Sequence, residues 1–89
     1  MITKKITIPN KLGLHARAAA QLVKVVERFD AEVMANFHDM KVNCTSIMGL
    51  MMLTAGQGEE IIFQATGPEE QLAINSINEL VNSNFHEPA

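Results

Sequence analysis

The sequence predicts an α+β fold, a two-layer sandwich in which helices cover one face of a mainly antiparallel sheet. Three observations lead there. Apolar and polar residues alternate in short stretches. Between those stretches apolar residues recur at intervals of three and four. The two patterns follow one another in the order β-α-β-β-α-β-α, with no linker, repeat or low-complexity tract to divide them. A chain of 89 residues suits one domain, 1–89.

Ile2, Ile6 and Ile8 share a parity, with Thr3, Lys5 and Thr7 on the other, as in a half-buried strand that Pro9-Asn10 stops. Residues 10–14 then form a short loop. From Ala16 the period changes: Ala16, Ala19, Ala20, Val23 and Val26, joined by Leu22 and Phe29, make the apolar stripe of a helix ending near Phe29-Asp30. Val33, Ala35 and Phe37 mark a second strand, His38-Asp39 a tight turn, and Met40 to Asn43 a short return strand. Thr45 or Ser46 is placed to cap a short apolar helix over residues 47–53, with Leu50 and Leu53 inward. Residues 54–58 are a loop, and Glu60 to Thr66 a strand with Ile61, Phe63 and Ala65 on one face. Gly67-Pro68-Glu69-Glu70 starts the last helix, with proline suited to its first position and acids to its positive end. Ala73, Ile74, Ile77, Leu80 and Val81 make its buried stripe, and a frayed tail is expected from Asn84 to Ala89.

The composition excludes several function classes. Net charge is −3, the wrong sign for a surface that binds nucleic-acid phosphates. The absence of Trp and Tyr removes most stacking platforms for single strands. A lone Cys44 permits neither an internal disulfide nor a zinc site built on paired thiolates. The spacing of His15, His38, His86 and Cys44 carries no ligand signature, so no metal is expected. No run is long and apolar enough for a membrane span or a signal peptide, which points to a cytoplasmic protein. No glycine-rich loop with Lys-Ser/Thr is present for nucleotide phosphates, and no cofactor is called for.

Chemistry concentrates at His15. It lies between a glycine-containing loop and the first turn of a helix, with Arg17 two residues on. Unpaired N–H groups and the partial positive charge of a helix N-terminus favour an anion there. The same field disfavours imidazolium and keeps the ring nucleophilic. A phosphoryl group on the ring could accept from those N–H groups and pair with Arg17. Position alone leaves two readings open, a phosphohistidine or a histidine that merely caps the helix. His38 and His86 read as solvated. Ser46 is a helix cap, and a phosphate there would place about −1.5 to −2 charges in any surface the helix offers. The run Ile47-Met48-Gly49-Leu50-Met51-Met52 is more apolar than one-sided burial requires, so part of it, with Ile47 and Met51 as candidates, is expected to meet a partner.

Two segments, Leu12-Gly-Leu-His-Ala-Arg17 followed by Ala-Ala, and Ser46-Ile-Met-Gly-Leu-Met-Met-Leu53, closely resemble the signatures of the HPr family. These are histidine-containing phosphocarriers of the bacterial phosphoenolpyruvate-dependent phosphotransferase system. The resemblance extends over essentially the whole chain, including Ala65-Thr-Gly-Pro-Glu69. It implies an open-faced β-sandwich, a four-stranded antiparallel sheet with three helices on one face. It implies that His15 is phosphorylated on its δ nitrogen by Enzyme I and passes the group to an Enzyme IIA-type domain. Arg17, with the backbone N–H of Ala16, would hold the phosphate. Ser46 would be the regulatory site of an HPr kinase/phosphorylase, and Lys24, Ile47 and Met51 would belong to the docking surface of a monomer. Such a carrier is a substrate of enzymes more than an enzyme.

The sequence departs from the family pattern at Ala18, where proline is usual, and at Glu27 and Thr45, where lysine is common. Alanine is an excellent helix former, so the helix is preserved. A less basic rim slows steering toward an acidic partner, which leaves the sugar branch and the nitrogen-related branch both open. The rival reading is a regulatory binding module controlled at Ser46.

Overall fold

The computed structural model describes residues 1–86. Strand β1 (Ile2–Thr7) is followed by helix α1 (Ala16–Val26), strands β2 (Glu32–Phe37) and β3 (Met40–Asn43), helix α2 (Ile47–Met52), strand β4 (Glu60–Thr66) and helix α3 (Glu70–Asn82). The strands form one sheet in the order β1-β4-β2-β3, every pair antiparallel. The fold is the open-faced α+β sandwich expected, and β4 lies between β1 and β2.

Alternation decides which face is covered. Val33 pairs with Ala65, Ala35 with Phe63, and Ile6 with Ile61, and all of these side chains are buried. Their neighbours Asn36, Ile62 and Gln64 lie on the opposite, open face, where the Asn36 amide donates to Gln64 Oε1 at 3.2 Å. The helices close the covered face through Leu22 and Val26 of α1, Leu50 of α2, and Ile74, Ile77 and Val81 of α3. Removing this apolar surface from water, at roughly 25 cal/mol per Å², is the main force holding the two layers together.

Several element ends differ from the pattern in the sequence, each for a tertiary reason. Helix α1 stops at Val26, not at Phe29-Asp30, because Arg28 and Phe29 donate to carbonyls three residues back and tighten the chain out of the α geometry. Its buried stripe is rotated from the expected one: Ala16 is exposed, while Ala18 and Val25 are buried. Pro68 precedes the last helix instead of opening it. The Glu69 carboxylate accepts from Asp30 N–H at 2.8 Å, which holds Glu69 in the loop as the cap and delays the helix to Glu70. The Glu70 carboxylate reaches back to Gly67 N–H, and that bond chiefly holds its pKa below the usual carboxylate range. The frayed tail is also corrected. Asn84–His86 make a 3-10 turn that tucks Phe85 into the core, with 1 % of its surface exposed. A large aromatic in a chain with few aromatics gains more from burial than a free end gains in entropy. The part of that expectation at 87–89 lies outside the described residues.

The segment leading into α1 is strapped to the loop after α2. Ile8 N–H donates to the Glu59 carbonyl, Gly58 N–H to the Ile8 carbonyl and Leu14 N–H to the Ala55 carbonyl, at 2.8–2.9 Å. Gly13 has φ +66°, and a Cβ there would lie 2.4 Å from the Ala55 oxygen. Backbone touches backbone at this point, so only glycine fits. Gly13→Ala is therefore expected to remove at least about 1–2 kcal/mol of stability in urea unfolding. Phe85→Ala is expected to remove about 3–5 kcal/mol, the usual effect of emptying a buried aromatic site. A near-neutral Phe85→Ala would mean that the tail is peripheral.

Candidate functional site

His15 is the N-cap of α1, with extended backbone (φ −81°, ψ −178°). Its carbonyl accepts the first helical bond, from Ala19 N–H at 2.8 Å. Its ring Nδ1 accepts from Arg17 N–H at 3.2 Å. A ring nitrogen that accepts carries no proton, so the neutral ring holds its hydrogen on Nε2. The donor to the ring is the Arg17 N–H, one residue beyond Ala16. The δ nitrogen of His15 thus satisfies the helix end and is aimed at its positive pole.

His15 is half-buried, and Arg17 is exposed beside it. Lys24, also exposed, follows Arg17 by seven residues, two helical turns, and so lies on the same face of α1. It sits in the last turn, roughly 13 Å along the axis from His15.

Ser46 is the N-cap of α2: its Oγ accepts from Gly49 N–H at 3.0 Å. Thr45, the other candidate cap, is turned away, its N–H and hydroxyl both donating to Asn43 Oδ1. Ser46 is exposed. The His15 loop touches the loop after α2 at Ala55, whereas Ser46 caps the other end of that helix.

Helix α2 presents two faces. Leu50 and the following Leu53 are buried, as expected from the sequence. Ile47 and Met51 are 40 % and 41 % exposed, but Met48 and Met52 are more so, at 75 % and 63 %. Leu12, in the loop before His15, is exposed as well. Met48, Met52 and Leu12 were not singled out from the sequence: in so short an apolar run every residue looks equally suited to the core. The excess of apolar residues over what one buried face can hold signals that part of the run is exposed, but not which residues.

The other candidates stand apart. His38 occupies the turn between β2 and β3 with φ +54° and its ring 4.1 Å from that of Phe37. His86 follows Phe85 and lies 3.3 Å from Ser83 Oγ. Cys44 is fully buried, and burial pushes its thiol up to about 12. Among the described residues no three His, Cys, Asp or Glu side chains are grouped as a metal ion would require, and no helix is long and apolar enough to cross a membrane.

Residues 2–83 match the family model of the PTS HPr component phosphorylation site. The chain belongs to the HPr family. It is 39 % identical over 87 residues to a phosphocarrier protein HPr of Xylella fastidiosa, covering 98 % of each chain. It is 38 % identical to the phosphocarrier protein NPr of Escherichia coli, covering 97 % of each. Among solved structures, HPr-C-His from Thermoanaerobacter tengcongensis superposes with a TM-score of 0.94 at 38 % identity, over the full length of both. The function shared by these relatives, phosphocarrier in the phosphotransferase system, is the function of this HPr-family chain. Identities to HPr and NPr proteins are nearly equal, so overall similarity does not separate the sugar branch from the nitrogen-related one.

The depth of Cys44 has a direct consequence. At pH 8 the folded protein is expected to react with a thiol reagent only as fast as it unfolds, because so little thiolate is present and none of it is accessible. Rapid stoichiometric labelling under native conditions would contradict this burial.

Proposed function

We propose that His15 is the residue that carries the phosphoryl group, taking it from Enzyme I and giving it to an Enzyme IIA-type domain. One observation supports this above the others: Nδ1 points at the N-terminus of α1 and accepts from the Arg17 N–H. In the transfer the Nδ1 lone pair attacks phosphorus and the bond from phosphorus to the donor breaks. The Arg17 N–H, released from the nitrogen, is then within reach of a phosphate oxygen, together with the Ala16 N–H and the Arg17 guanidinium. The Nε2 hydrogen stays in place, so the phosphorylated ring carries positive charge and remains a good leaving group for the onward step. Little covalent work is left to the protein, whose part is orientation and charge stabilisation. It is therefore a substrate of its partner enzymes and not an enzyme itself.

The proposed docking surface joins the exposed apolar residues Ile47 and Met51, widened by Met48, Met52 and Leu12, to the exposed Arg17 and Lys24 of α1. Methionines suit a surface that must fit a donor and an acceptor in turn. The protein is proposed to work as one cytoplasmic monomeric domain. Ser46 is the proposed regulatory site, open to an HPr kinase/phosphorylase: a phosphate there would sit favourably on the α2 N-terminus while adding charge to the docking strip.

The deciding experiment is intact-mass spectrometry at alkaline pH after incubation with phosphoenolpyruvate and Enzyme I. One added phosphate, lost in acid and absent from His15→Ala, is expected, with the melting temperature of His15→Ala only slightly lowered. An unlabelled wild-type protein would leave a binding module controlled at Ser46. Ser46→Asp is expected to keep the fold, since Asp is also a good cap, and to slow phosphoryl transfer from Enzyme I. Unchanged transfer kinetics would remove Ser46 as a control point.

A further inference from the structure

We infer that Asn10 is a positioning residue for His15, acting through the carbonyl of Gly13. Among the described residues Asn10 is alone among the polar and charged ones in being buried, with 3 % of its surface exposed. Its Nδ2 donates to the Gly13 carbonyl at 2.8 Å. The same carbonyl accepts from His15 N–H at 3.0 Å, and Gly13 N–H donates back to the Asn10 carbonyl at 3.1 Å. The turn is therefore closed twice between Asn10 and Gly13, once by backbone and once by side chain, and its Gly13 oxygen holds the backbone of the reactive histidine. Burying an amide is unfavourable unless its bonds are made, and the backbone bond already forms the turn. The added amide bond fixes the direction of the Gly13 peptide plane. That plane, anchored further by Leu14 N–H on the Ala55 carbonyl, determines where His15 leaves the loop and so where Nδ1 points.

The inference rests on His15 being the phosphoryl carrier, and its test has one arm that does not. In the unphosphorylated protein, Asn10→Ala is expected to move the NMR shifts of the Arg17 amide proton and of His15 Nδ1, because the hydrogen bond between them loosens. In phosphoryl transfer from Enzyme I, Asn10→Ala is expected to lower kcat about ten- to a hundredfold, the usual penalty of a reacting group displaced by part of an ångström to an ångström. KM for the carrier should change far less than kcat, since the docking strip lies mainly on α2 and only its Leu12 sits in the altered turn. Asn10→Ser, whose hydroxyl can still donate within the turn, should recover part of the rate. Phe85→Leu serves as a control for destabilisation of the core without a change in the Asn10–Gly13 turn, and its kcat should match the wild type. Unmoved Arg17 and His15 signals, or a kcat for Asn10→Ala no lower than that of Phe85→Leu, would overturn the inference. If Enzyme I does not phosphorylate the wild type at all, the carrier assignment fails and the NMR shifts alone decide the role of Asn10.

Discussion

The position of the α1 N-terminus depends on a backbone contact between two loops, where Leu14 N–H meets the Ala55 carbonyl and Gly13 leaves no room for a side chain. One such bond contributes only about 1 kcal/mol net. Its importance is geometric. With the N–H and the carbonyl of Ile8 both bonded to the same second loop, the seven residues between β1 and His15 are held at both ends. Helix α1 therefore starts at a defined place and in a defined direction, and every property of the site follows from that.

At the end of α1, structural and chemical demands fall on the same atom. A helix needs an acceptor for its first N–H groups, and Ser, Thr, Asp or Asn would ordinarily supply it. Here the His15 ring does so through Nδ1. Histidine is an uncommon cap, and the fold accepts it because the strapped loop, more than the cap, locates the helix. The proposed chemistry then needs no rearrangement of the protein: a phosphate replaces the ring nitrogen as the acceptor of an N–H already pointing at it. Arg17 and Lys24 on one face of α1 give this side of an otherwise acidic molecule a local positive potential, which matters for encounter with a partner more than for the fold.

Helix α2 is too short to be stable by itself. Leu50 and Leu53 inserted in the core and the Ser46 cap hold it in place. Because so few residues face inward, Met48 and Met52 face water, and the helix offers an adaptable apolar surface. The cap that starts this helix is also its proposed control point, since a charge at Ser46 is compatible with the helix dipole and alters only what a partner meets.

Much of this was legible in the sequence because it is set by local periodicity. Alternation at Val33-Ala35-Phe37 and Ile61-Phe63-Ala65 identifies the buried sheet face, and the change of period after His15 marks the helix that carries the site. The pair His15 and Arg17 could be picked out because a helix boundary confers a predictable electrostatic environment. Other features are set by residues distant in the chain. Glu69 bonded to Asp30 delays α3, and Phe85 finds a core site that no tail pattern announces. The exposed methionines of α2 are chemically the same as buried ones until the sheet and α1 decide which side is inside. What the sequence by itself determined is the set of elements, their faces and the residue at the head of α1. Only the tertiary structure decided that β4 lies between β1 and β2, that Gly13 presses on Ala55, and that Nδ1 is the nitrogen aimed at the helix, because each depends on atoms brought together by packing and not by neighbouring positions in the chain.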